Sequence, residues 1–169
     1  ASSTYTYVLF DESTREALII DRVDEQIERD LATLRQYGLK LLWTVETHAH
    51  ADHLTSAGLL AEHTGARTAA PDGCGMTTAA VQLQDQQELV FGGQTIRALH
   101  TPGHTGGSMS YVWNSPAGPQ VFTGDTLLIG GTGRTDLPTG DAGQLFDSLF
   151  GKLLLLDPAT RVYPAHIYS

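Results

Sequence analysis

The chain has one cysteine, Cys74, so no internal disulfide can form and the fold must be held by its core. Cys74 itself, in Gly73-Cys74-Gly75, reads as an incidental or buried thiol rather than a reactive one. No apolar run approaches the roughly 20 residues that a membrane-crossing helix needs, and no signal-peptide pattern is present. Positive charge is scarce: 10 Lys and Arg stand against 19 Asp and Glu, a formal net charge of -9. That balance argues against nucleic acid or an anionic membrane as the main partner, because both require a basic footprint. A small anionic substrate stays allowed, since a metal ion and one arginine can dominate a local field. Repeats, low-complexity stretches and linkers are also missing. What remains is 169 residues, 41% apolar and 17% charged, the size and composition of one globular domain with a sizeable core.

Periodicity predicts strands over Thr4 to Phe10 and Ala17 to Ile20, separated by the polar turn Asp11 to Arg15. Asp24 is placed to cap a helix whose apolar positions Ile27, Leu31 and Leu34 follow helical spacing and which Gly38 ends. Leu41 to Glu46 reads as a buried strand, Leu54 to His63 as a helix. Glu88 to Phe91 and Thr95 to Leu99 form a hairpin around Gly92-Gly93, and Ser108 to Trp113 and Gln120 to Phe122 are two more strands. Asp141 to Gln144 fits a capping box. Behind it Leu145, Phe146, Leu149, Phe150, Leu153 and Leu154 form a wide apolar helix face, and Arg161 to Tyr163 is a last strand. Runs of strands with helices between them point to sheets with helices on their outer faces.

The densest chemistry is Thr47-His48-Ala49-His50-Ala51-Asp52-His53, directly after an apolar strand. An extended chain points residues i and i+2 to one side, so His48 and His50 can aim at one point, while Asp52 and His53 approach from the next turn. Imidazole nitrogens and a carboxylate suit a borderline divalent ion such as zinc or iron. Three further strand ends carry ligand-type residues: His104 in the Pro- and Gly-rich loop Thr101 to Ser108, Asp125 after Val121-Phe122-Thr123-Gly124, and His166 after Tyr163-Pro164-Ala165. Glycine in the His104 loop would let backbone approach a metal closely. His63 reads as a solvated helix residue and His100 as structural.

The order His48-x-His50-x-Asp52-His53, then His104, Asp125 and His166 resembles the metallo-β-lactamase superfamily across nearly the whole chain. The resemblance implies an α+β, four-layer αββα sandwich, with metal at the edge between the sheets, and one domain over residues 1–169. Compared with such relatives, the chain is expected to lack an N-terminal strand and a C-terminal segment that helps hold glutathione. Three segments, Ser2 to Tyr7, Thr47 to His53 and Gly124 to Asp136, look like the persulfide dioxygenase branch. Hydroxyacylglutathione hydrolases are the nearest rivals; they typically carry a histidine where Ala49 stands and lack the Arg-Thr-Asp run ending at Asp136. The final motif departs from relatives, reading His166-Ile167-Tyr168, and Thr132 stands where they often have cysteine.

In the dioxygenase branch one Fe(II) is held by the residues matching His48, His104 and Asp125, and a glutathione-type persulfide reacts with O2. His50, Asp52, His53 and His166 then orient ligands and water, Arg134 positions the glutathione anion or its loop, and Tyr168 lines the pocket. Arg134 has a simpler alternative, a salt bridge to Asp136 or Asp141. In the hydrolase alternative all seven positions hold two ions, two zinc or a zinc and an iron, and a glutathione thioester is cleaved. A catalytically weak metal-binding or persulfide-sensing domain is the third reading. The resemblance also allows a homodimer and implies a bacterial cytoplasmic or mitochondrial matrix setting.

Overall fold

A computed structural model describes residues 4–23, 26–48, 56–76, 78–128 and 131–166, with backbone alone for 56–59. Two antiparallel strands open the chain, β1 (Tyr7–Phe10) and β2 (Glu16–Ile20), in a register that pairs Leu9 with Leu18. Helix α1 (Ile27–Gln36) carries the chain back so that β3 (Lys40–Val45) lies parallel to β2. Helix α2 (Ser56–Thr64) does the same for β4 (Arg67–Pro71), and β5 (Val81–Leu83) adds a fifth strand parallel to it. The second sheet is a meander of β6 (Glu88–Phe91), β7 (Gln94–His100), β8 (Met109–Ser115) and β9 (Gly118–Gly124). Helix α3 (Ala142–Gly151) and a 3-10 turn at Leu153–Leu155 then return β10 (Arg161–Pro164) parallel to β9.

The period-two alternation of each strand sorts its side chains between layers. In β2, Leu18 and Ile20 face the opposite sheet, where with Val45 of their own sheet they meet Phe91, Ile96, Tyr111 and Phe122. Ala17 and Ile19 face outward, under Leu34 of α1 and Leu60 of α2. Both faces of β2 are therefore buried, which accounts for its unbroken apolar run. On the far side, Leu99, Val112 and Val121 lie under Leu149 and Leu153. The layers thus run helix, sheet, sheet, helix, as the sequence resemblance implied. Among the described residues no helix is long and apolar enough to cross a membrane.

Several expectations are corrected. Strands β4 and β5 carried no readable signal: Arg67-Thr68-Ala69-Ala70-Pro71 lacks bulky apolar alternation and β5 has three residues. Their strand character comes from pairing, β4 with β3 and β5 with β4. The wide apolar helix face also divides, because α3 ends at Gly151 and only one stripe reaches the sheet. Leu145 and Leu153 are buried, each contributing about 1.5–3 kcal/mol, whereas Phe146, Phe150 and Leu154 are more than half exposed. The predicted end of α1 at Gly38 holds, with φ at +62°. Its expected cap, Asp24, lies outside the described residues.

Candidate metal centre

The C-terminal ends of β3, β7, β9 and β10 meet at one end of the sandwich, and each delivers a ligand-type side chain. His48 lies three residues past β3, His104 four past β7, Asp125 directly after β9 and His166 two past β10. The Nε2 atoms of His48 and His104 stand 3.4 and 3.3 Å from Asp125 Oδ2. Among the described residues, His48, His104 and Asp125 form a trio whose donor atoms all lie within 4.8 Å of one another. All three are at least nine-tenths buried.

Hydrogen bonds behind the two histidines settle which nitrogen faces the centre. Thr47 donates its hydroxyl proton to Asp21 Oδ2 at 2.7 Å. With that proton directed at Asp21, the Thr47 oxygen accepts from His48 Nδ1–H at 3.0 Å, and the Nε2 of His48 is turned toward Asp125. Asp21 also accepts the Thr47 backbone N–H at 2.8 Å, so one buried carboxylate holds both the strand end and the relay. Burial, reinforced by Glu46, pushes the Asp21 carboxyl well above the usual carboxylate range, against the pull of the Thr47 bonds. His104 Nδ1–H donates to the Arg134 carbonyl at 2.9 Å, which directs its Nε2 the same way. This is the orientation that a metal-binding imidazole requires of its second nitrogen.

The His104 loop is positioned by α3. Asp141 caps that helix by accepting from Gln144 N–H, as expected, but its own N–H donates to the Gly103 carbonyl at 2.8 Å rather than closing a reciprocal box. A Cβ on Gly103, at φ +142°, would lie 2.4 Å from Leu145 Cα. Glycine there lets the helix, not a metal, come close. Gly133 does serve the centre: its N–H donates to the Asp125 carbonyl, and a Cβ would stand 2.2 Å from that oxygen and 2.7 Å from His104 Nδ1.

Burial alone would raise the Asp125 carboxyl, but the imidazoles of His104, His48 and His166 reverse this and hold it far below the usual carboxylate range. In return, the hydrogen bond to Asp125 raises the His104 imidazole against its burial. An ionised carboxylate with two imidazole Nε2 atoms facing one of its oxygens supplies donors that, with those nitrogens deprotonated, fit a divalent ion of the zinc or iron kind in a two-histidine, one-carboxylate set.

His166, the fourth residue, joins from the other side: its Nδ1–H donates to Asp125 Oδ1 at 2.5 Å, and its Nε2 faces Thr4 Oγ1 at 2.9 Å. His50, Asp52, His53 and Tyr168 lie outside the described residues. The Arg134 guanidinium makes a two-pronged pair with Asp136, 2.5 and 2.8 Å, on the exposed surface, while the Arg134 carbonyl serves His104. His63 is exposed, and His100 is structural, donating from Nε2 to the Gly106 carbonyl. Sequence reading missed Asp21, the Thr47 hydroxyl, Thr4 and Gly133. Asp21 was findable, since it ends a buried strand as Asp125 does; the other three carry no signal without the fold.

The chain is similar to known proteins over nearly its whole length. The mitochondrial persulfide dioxygenase ETHE1 of Bos taurus is 39% identical over 174 residues, covering 99% of this chain and 65% of its own length. The chain thus spans less than two thirds of that relative. The cytoplasmic hydroxyacylglutathione hydrolase of Arabidopsis thaliana is 36% identical over 175 residues, 98% of this chain and 64% of its own length. Among solved structures, ETHE1 from Myxococcus xanthus matches with a TM-score of 0.92 at 45% identity, covering 99% of this chain and 72% of that one. The profile of the metallo-β-lactamase superfamily matches residues 2–166, from the N-terminal segment to the last histidine of the centre, and the chain belongs to that superfamily.

Proposed function

We propose that this chain is the catalytic domain of an iron(II)-dependent persulfide dioxygenase. Glutathione persulfide, dioxygen and water would give glutathione, sulfite and two protons. The observation that carries the reading is the donor set among the described residues: the Nε2 atoms of His48 and His104 converge with Asp125 Oδ2, while both ring nitrogens of His166 are engaged within the protein. Three protein donors suit a facial triad, and an iron(II) ion held by them would offer adjacent open positions where a persulfide sulfur and dioxygen can meet. The chain's own part is geometric. Thr47 and the Arg134 carbonyl orient the imidazoles, His166 holds the second oxygen of Asp125, and burial of the trio excludes bulk water.

The 39% identity to a persulfide dioxygenase supports the substrate class. Arg134 is proposed to act on the glutathione anion through its loop, held by the Asp136 pair, and Tyr168 to line the pocket. His50, Asp52 and His53 are proposed to orient ligands and water. The setting we propose is a mitochondrial matrix or a bacterial cytoplasm; the name of the bovine relative gives that protein as mitochondrial.

The rival, a binuclear thioester hydrolase, is favoured by the Arabidopsis relative and by the seven retained ligand-type positions. Elemental analysis of anaerobically purified protein separates the two, with about one iron per chain expected for a facial triad. Oxygen uptake with glutathione persulfide should follow. About two ions per chain, with anaerobic thioester cleavage and no oxygen uptake, would overturn the proposal. Persulfide binding without turnover would replace it with a sensing role.

A further inference from the structure

The segment before β1 is fastened residue by residue to the end of β10. Tyr7 Oη donates to the Pro164 carbonyl at 2.5 Å, Tyr5 N–H donates to the Ala165 carbonyl at 2.7 Å, and Thr4 Oγ1 meets His166 Nε2 at 2.9 Å. Burial pushes the Tyr7 hydroxyl up to about 12, so it remains a donor at any working pH. Tyr7 also packs edge-on against Phe122 and Tyr163, which anchors this segment to the second sheet. Three consecutive contacts along residues 164 to 166 make a built clasp, and its last member reaches the centre.

Resting on the one-metal reading above, we propose that Thr4 is a positioning residue that keeps the centre mononuclear by occupying the nitrogen of His166 that a second ion would need. His166 Nδ1–H donates a hydrogen bond to the Asp125 carboxylate, so the remaining lone pair of a neutral ring sits on Nε2. The Thr4 hydroxyl donates to that lone pair. Were the ring doubly protonated, Nε2–H would donate to Thr4 instead, and again no lone pair would be offered. Either way the hydroxyl holds His166 in its hydrogen bond to Oδ1 and leaves Oδ2 to the His48 and His104 side. A histidine in this position is thus not available as a ligand merely because its residue type is retained.

The test is a cobalt(II) titration of the full chain followed by visible absorption, with elemental analysis of the iron-loaded protein alongside. The parent and Thr4→Ser should saturate at one ion per chain, because serine keeps the hydroxyl. Thr4→Val, which keeps the shape and loses the hydroxyl, should take up a second cobalt at concentrations roughly 10-fold below any at which the parent begins to exceed one ion, the scale on which groups behind metal ligands change metal affinity. Circular dichroism verifies folding, and Thr4→Ala carries the same comparison if the valine variant fails to fold. A Thr4→Val or Thr4→Ala titration indistinguishable from the parent overturns the role of Thr4 alone. So does a Thr4→Ser protein that behaves like Thr4→Val. Two tightly bound ions in the parent would instead overturn the one-metal reading, and the role of Thr4 with it.

Discussion

Asp11 and Asp125 sit at opposite ends of the same sandwich, both nearly buried and both ionising more readily than an ordinary carboxylate. Asp11, after β1, owes this to backbone N–H groups: Gly93 donates to Oδ2 at 2.5 Å and Ser13 to Oδ1 at 2.8 Å, with Thr14 farther off at 3.4 Å. It ties the β1–β2 turn to the β6–β7 turn, and its acceptor capacity goes to the chain itself. Asp125, after β9, is faced by three imidazoles and no backbone donor among its described side-chain contacts. Backbone N–H groups cannot be exchanged for anything; imidazole lone pairs can be handed to an ion. The same residue type thus closes the fold at one end and opens a site at the other.

The most disruptive way to probe that contrast is Asp125→Ala or His48→Ala. On the proposed function, each should abolish metal content and oxygen uptake together, while Asp11→Asn should keep its metal; full occupancy and turnover in either site variant would refute the centre. Gly133→Ala comes next, because its methyl would collide with the Asp125 carbonyl and His104 Nδ1. A loss of ~10–100-fold in metal affinity is expected by competition against a chelator. Thr47→Val removes the link between Asp21 and His48 without adding bulk, and should weaken metal binding by ~10-fold, with Thr47→Ser restoring most of it. Asp11→Asn should leave metal affinity unchanged and lower only the thermal midpoint. Its carboxyl is depressed in the fold, so its contribution is full above the ordinary value of about 3.9 and is lost as pH falls through the lower folded value. The gap in melting temperature between Asp11→Asn and the parent should therefore be widest near neutrality and close in acid. A gap independent of pH would mean that shape, not charge, is what Asp11 supplies.

Much of the centre was readable before any coordinates, because metal donors come from few residue types and here they stand just past apolar strand runs. His104 and Asp125 were candidates because each follows such a run, and the structure brings them together with His48. The supporting groups were unreadable for a physical reason. A threonine hydroxyl, a backbone carbonyl at Arg134 and a glycine at 133 have no chemistry of their own, and matter only through what lies beside them. The exposed stripe Phe146, Phe150 and Leu154 was misread in the opposite sense, since spacing shows which residues share a helix face but not how many stripes a flat sheet can cover.

The sequence by itself determined the donor types and the strand ends that carry them, since strand period and ligand chemistry are local properties; the αββα sandwich was implied only by the resemblance that the order of those donors carries. Tertiary structure decided that Thr4 meets His166 across 162 positions, that Asp21 backs His48, and that Gly103 serves a helix while Gly133 serves the metal centre. Those outcomes depend on distances between segments far apart in the chain, and only the packing of the two sheets sets such distances.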